Sequence, residues 1–312
     1  MTITGFNNSA RGALVVAHPS HELRVHGWLQ IARPHVFVLT DGSGRDGQAR
    51  LPSTTKVLED TGAPQGSIYG RFTDLQVYDA LLRGDFELFK QLSADLAEAF
   101  FRAEIEYVVA DSAEGYSTTH DACRLVTDAA VEILKRKHKR QIASYDFLVV
   151  GPPDECPPAV AGEAIWLNLE DHAFFRKVSA ARAYNPKLAA DIDLALAGET
   201  FKGVKRFSQP QVAGEVDEAI TAEVELAVRA NPATAAQVKG VLDGVELHRF
   251  RIECLRPAPA KSWNRDGISA VPFYELYGEK MVAAGHYQNP IRYKDHFLPI
   301  AEAVWQYVEA HQ

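Results

Sequence analysis

Two short stretches decide the fold: Ala13–Ala17 (ALVVA) and His35–Thr40 (HVFVLT). Each is a continuously apolar run too short for a core helix, as expected of a strand covered on both faces in a parallel sheet. The second run stops at Asp41-Gly42-Ser43-Gly44, a cluster of turn formers. Leu23–Ala32 between them has room for a short helix crossing back over the sheet, and Arg50–Gly62 reads as another, ending on a glycine cap. Phe86–Arg102 carries Leu88, Leu92, Leu96 and Phe100 at four-residue spacing, the apolar stripe of a longer helix. Ile105–Ala110 (IEYVVA) predicts a third strand, His120–Arg136 a helix and Gln141–Val150 a fourth strand. Strands alternating with helices define the α/β class, with a parallel sheet, right-handed crossovers and helices flanking it.

Residues 151–158 (GPPDECPP) hold four prolines in eight positions, so neither a strand nor a helix can continue through them. The chain therefore divides into an α/β domain, 1–150, and an α-rich C-terminal extension, 151–312, packing on that core. Helices are expected over Asp171–Ala197, Glu215–Arg229 and Ile300–Ala310, with an edge strand at Phe250–Pro257.

Composition narrows the function classes. The 33 Lys and Arg against 41 Asp and Glu give a formal charge of −8, which repels phosphate backbones, and no basic stripe interleaves with aromatics. The basic run Lys135, Arg136, Lys137, Lys139 and Arg140 suits the carbonyl end of a solvated helix. Nucleic acid is thus not an expected partner. The three cysteines, Cys123, Cys156 and Cys254, are odd in number and widely spaced, which excludes a full disulfide framework and fits a reducing compartment. No stretch approaches the ~20 apolar residues of a membrane span, and the first twenty residues lack the pattern of a signal peptide. A cytoplasmic protein is the expectation, with a homo-oligomer left open.

Ligands of open parallel sheets collect at the carboxyl ends of the strands. Three polar clusters fall there: His18-Pro19-Ser20-His21-Glu22, then Thr40–Arg45, then Asp111–Asp121 (DSAEGYSTTHD). His18, His21 and His120 supply imidazoles from separate loops, the raw material of a metal site. They are equally suited to capping a turn and starting a helix. Gly42-x-Gly44-x-x-Gly47 spells a dinucleotide fingerprint, but no helix begins at Gly47.

Ala17-His18-Pro19-Ser20-His21-Glu22 resembles the AHPDDE signature of the PIG-L/LmbE-like de-N-acetylases. Glu114-Gly115-Tyr116-Ser117-Thr118-Thr119-His120-Asp121-Ala122 resembles that family's EGGHPDHDA stretch. Thr40-Asp41-Gly42 matches the usual end of the second strand, and Arg50, Val57 and Gly62 fit the helix that follows. Pro272–Ala301 looks like the C-terminal extension of longer bacterial members. The resemblance implies a Rossmann-like domain and a zinc-dependent hydrolase that removes an N-acyl, typically acetyl, group from an amino sugar or glycoconjugate precursor. It carries the metal ligands over to His18, His21 and His120, the middle one an imidazole where the family has a carboxylate. A neutral ligand there leaves the site more cationic and bound water more acidic.

Two positions depart further. Ser20 stands where the family keeps its general base, and Ser117 where a histidine polarises the acyl carbonyl; each would instead meet the substrate. A hydroxyl is a poor base near neutral pH. Asp41, Asp121 and Tyr116 are the substitute catalytic candidates, with Glu22 and Asp111 in the same loops. Arg50 and Asp74 lie where the family places substrate-binding or supporting polar residues. His286 and His296, beside Tyr287, Arg292 and Tyr293, are placed to reach the substrate mouth if the tail folds over the site. The two vacated positions keep a rival in play: a non-hydrolytic binding or regulatory protein on the same fold, or a hydrolase of altered substrate.

Overall fold

A computed structural model describes residues 2–4, 10–44, 47–190, 192–193, 247–264 and 270–310. One eight-stranded sheet organises it. The strands are β1 (Thr2–Thr4), β2 (Gly12–Val16), β3 (His35–Thr40), β4 (Gln65–Phe72), β5 (Tyr107–Asp111), β6 (Ala143–Phe147), β7 (Ile165–Asn168) and β8 (Ile252–Pro257), in the spatial order β1-β7-β8-β6-β5-β2-β3-β4. The run β6-β5-β2-β3-β4 is parallel throughout, and β8, β7 and β1 extend it with antiparallel pairs.

The period-two alternation of β2 and β3 sorts their side chains between two cores. Ala13, Val15, Phe37 and Leu39 pack with α3 (Asp74–Arg83), α4 (Phe86–Arg102), α5 (Thr118–His138) and the closing helix α8 (Leu298–Glu309). Leu14, Val16, Val36 and Val38 pack on the other face with α1 (His26–Ala32), α2 (Leu51–Thr61) and α6 (Asp171–Tyr184). Both faces are covered, which is why these strands read as unbroken apolar runs. The chain leaves β2 towards β3 and β4, then returns to place β5 on the other side of β2. That reversal opens a crevice at the carboxyl ends of β2 and β5.

The α/β reading stands, with differences in detail. The predicted edge strand at Phe250–Pro257 is β8, and it lies inside the sheet, because β7 pairs with it on one side and β6 on the other. Strand β6 stops at Phe147, short of Val150, because the Glu114 carboxylate draws off the amides of Val149, Val150 and Gly151 at 2.7–3.3 Å. The helix expected over Asp171–Ala197 is broken: α6 ends at Tyr184, Asn185 is extended, as the residue before Pro186 prefers to be, 186–190 are helical again, and 194–197 lie outside the described residues. The helix expected over residues 215–229 lies outside the described residues. Unforeseen are β1, β4, β7, α3 and the helix at Phe273–Ala283. Strand β4 is half-exposed, irregular in register and interrupted by Gly66 and Gly70. At Gly66 an added Cβ would sit 2.4 Å from the Phe37 ring, so close approach to the core accounts for that glycine.

Candidate metal centre

The crevice is built by three loops. Strand β2 hands over to His18, Pro19 and then Ser20, whose φ of 94° is left-handed. For a residue with a side chain that conformation costs about 1–2 kcal/mol. It turns the chain into a 3₁₀ helix, His21–Val25, while the Glu22 carboxylate accepts the Ser20 amide at 2.8 Å. The turn brings the His18 and His21 rings within 5.3 Å of each other. His120 enters from the first turn of α5, with ring centres 5.2 Å from His18 and 4.6 Å from His21. Three imidazoles on one tetrahedral zinc, at metal–nitrogen distances of about 2.0–2.1 Å, put their ring centres about 5 Å apart.

The hydrogen bonds fix two of the three tautomers. His18 Nδ1 lies 2.8 Å from Thr40 Oγ1 and 2.8 Å from Asp74 Oδ1. Thr40 donates its own proton to the Ala17 carbonyl at 3.0 Å, so it accepts from His18. His21 Nδ1 donates to Asp111 Oδ2 at 2.8 Å, and that oxygen also takes the Ala17 amide at 2.8 Å. Neutral His18 and His21 therefore carry their protons on Nδ1, leaving the Nε2 lone pairs for a ligand, as in carboxylate–histidine–metal arrangements. His120 Nδ1 is buried without a hydrogen-bond partner. Burial, together with the charge of the neighbouring histidines, holds His21 and His120 well below the ordinary imidazole range, so both are neutral near pH 7. Burial also pushes Asp111 up to about 6, against the pull of His120 and the Ala17 amide. For Asp74 burial pulls upward, yet hydrogen bonds from His18 and the Gly44 amide hold its carboxyl well below the usual range. His18 and His21 thus hold the tautomer a metal ligand needs, and the three rings have the spacing of a ligand set. Among the described residues, however, no group of three or more His, Cys, Asp or Glu side chains is arranged to hold a metal ion.

The other predicted site residues separate into two groups. Asp74, Tyr116, Ser117 and His18 line a cleft of about 770 Å³ that opens beside the histidines. Asp74 also accepts the Gly44 amide at 2.6 Å, tying the loop after β3 to the site. Asp41, Asp121, Arg50 and Ser20 do not line it. Asp41 Oδ1 accepts the Ser43 amide at 2.9 Å in an Asx turn, Asp121 Oδ1 accepts the Gly115 amide at 3.0 Å, and Arg50 Nε donates to the Gly42 carbonyl at 2.8 Å. In the tail, His286 and Tyr287 reach the cleft, whereas His296 Nδ1 accepts the Arg292 amide at 2.9 Å.

Sequence reasoning missed the wall supplied by α7 (Phe273–Ala283). Its Tyr274 amide meets the Gly115 carbonyl at 3.4 Å, which fastens the helix to the loop between β5 and α5. Phe273 then stacks on Tyr116, with ring centres 4.9 Å apart and planes 6° from parallel. The cluster Phe273, Tyr274, Tyr277 in an otherwise ordinary helix was the available signal.

Comparison with known proteins adds little beyond the fold. No protein-family model matches the chain, and no curated protein matches it. The crystal structure of Dbv21, a deacetylase of the antimicrobial A40926 pseudoaglycone, is similar at 17% identity and a TM-score of 0.43, over 80% of this chain and 96% of that one. A likeness at that level leaves the assignment to this chain's own residues. Among the described residues no helix is long and apolar enough to cross a membrane.

Proposed function

We propose that the protein is a zinc-dependent hydrolase of the PIG-L/LmbE type, cleaving an N-acyl amide, with the acetylated amino group of a sugar or glycoconjugate as its substrate. One observation carries the reading: His18, His21 and His120 gather at the switch point of the sheet, His21 oriented on Nδ1 by Asp111 and His18 by Thr40, with Asp74 alongside at 2.8 Å. Zinc held by those imidazoles would supply Lewis-acid polarisation of the acyl carbonyl and a water acidic enough to attack it. Thr40 and Asp111 keep His18 and His21 in the ligating tautomer. Tyr116, lining the cleft 6.3 Å from the His120 ring, offers its hydroxyl to the acyl oxygen. Ser117, which lines the cleft where the family keeps its acid, takes a substrate hydroxyl; Ser20, outside the lining, serves to turn the chain into His21. Asp41 and Asp121, the proton acceptors expected from the sequence, lie outside the cleft lining and accept the Ser43 and Gly115 amides, so neither is given that role.

A second reading has its own support. No carboxylate replaces the one lost at Ser20, and the carboxylate that does line the cleft, Asp74, is engaged with His18. This favours a binding protein on the same fold or a hydrolase of altered substrate. Release of acetate from N-acetylated amino sugars by zinc-loaded protein, abolished in His18→Ala and His120→Ala, supports the hydrolase. Release that persists unchanged in both variants, or no release by folded, zinc-loaded protein, rejects it.

A further inference from the structure

The cleft beside the histidines is aromatic and poor in cations. Tyr116, Phe273 and Tyr277 form a continuous stack, the second contact at 5.8 Å and 28°. Tyr78 and Tyr287 add a second pair at 5.4 Å, held in place by the Tyr78 hydroxyl donating to the Asn289 carbonyl at 2.7 Å. Leu75, 63% exposed, continues this apolar lining towards solvent. The five rings are half-buried and line the cleft, with Tyr78 and Tyr116 also packing against the cores on the two faces of the sheet. A volume of about 770 Å³ falls within the roughly 300–1,000 Å³ of small-molecule sites.

Charge decides which small molecule fits. Among the described lining residues there is no lysine or arginine, and Asp74 contributes a carboxylate. Phosphates are recognised by arginine, lysine or a helix N-terminus. The starts of three helices line the cleft: α3 carries the Asp74 carboxylate at its first position, the Tyr274 amide of α7 is taken by the Gly115 carbonyl, and α5 begins at Ser117–Thr119, beside His120. A phosphate or diphosphate further along would meet aromatic faces and an anion.

The geometry points to an uncharged substrate in which the N-acylated sugar carries a flat, apolar ring system, an aryl-type aglycone, seated on the Tyr116–Phe273–Tyr277 stack. Nucleotide-linked and phosphate-linked sugars are disfavoured. The inference rests on the reading of the histidine cluster as the reacting end.

Calorimetric titration of the full chain, zinc-loaded and chelator-treated, tests it with three probes: p-nitrophenyl N-acetyl-β-glucosaminide, N-acetylglucosamine and UDP-N-acetylglucosamine. The aryl glycoside is expected to bind at least ~10-fold tighter than either of the others, since one stacked ring commonly contributes that much. Phe273→Ala is expected to remove most of that advantage, and Phe273→Leu, which keeps an apolar side chain against Tyr116, to remove it as well while the melting temperature stays near wild type. Equal or tighter binding of the nucleotide sugar overturns the inference, as does an aryl preference that survives in Phe273→Leu. The two readings fail separately. Aryl binding by a protein that takes up no zinc defeats the hydrolase alone, and a zinc hydrolase preferring the nucleotide sugar defeats the aromatic assignment alone.

Discussion

Buried carboxylates do two different jobs in two regions of this molecule. Along the seam where residues beyond 151 join the core, they are spent on backbone amides and cations. Glu253 on β8 accepts the Gly27 and Trp28 amides at 2.8 and 2.7 Å and pairs with Lys177 of α6 at 2.8 Å. Glu114 gathers three successive amides after β6, and Asp128 joins Arg124 at 2.5 Å to the Ser262 amide at 2.9 Å. At the crevice, Asp74 and Asp111 are spent on histidines instead. The first set holds the chain together; the second aims imidazoles. Side chains alike in chemistry are thus told apart by what they accept from.

The comparison can be broken most forcefully at Glu253. Glu253→Ala strands the Lys177 ammonium, buried and unpaired, together with two helix-start amides. An unfolding free-energy loss of about 3–5 kcal/mol is expected by urea denaturation, with zinc uptake by the folded fraction unchanged. At the crevice the pattern inverts. Asp111→Asn and Asp74→Asn should weaken zinc binding by about 10–100-fold in a competitive chelator titration, because the imidazoles lose the charge of the carboxylates beside them. Their stability loss should be smaller than that of Glu253→Ala. A metal affinity that follows stability instead, in either direction, would erase the distinction.

Two smaller effects sharpen the background. Gly66→Ala drives a methyl into the Phe37 ring and is expected to lower stability by about 1–3 kcal/mol, read from the denaturation midpoint, without altering zinc affinity. Arg102→Ala breaks an exposed pair with Glu98 one helical turn away and should change stability by no more than ~0.5 kcal/mol.

The parallel centre of the sheet was legible because β2, β3 and β5 are buried on both faces and leave unbroken apolar runs. Their carboxyl ends, and hence His18, His21 and His120, followed from the same signal. Strand β4 was not legible: it is half-exposed, and its glycines answer to Phe37 and Leu51, partners far away in sequence. Position β8 misled for a related reason, since the β7 strand that covers it is only four residues long. Within the site, Asp111 was visible as a loop carboxylate but not as the partner of His21, because that contact joins residues ninety positions apart. The aromatic wall stayed hidden because Phe273 and Tyr277 share a helix face with core residues, and only the packing of α7 on the Gly115 loop turns them towards a cleft.

The central claim is that the three histidines form a metal site. Elemental analysis of untagged protein, purified without chelators, tests it directly. The account predicts about one zinc per chain, lost in His120→Ala. Metal-free protein that also refuses added zinc would contradict it, and would leave the histidines as a hydrogen-bonded cluster at the edge of an aromatic binding cleft.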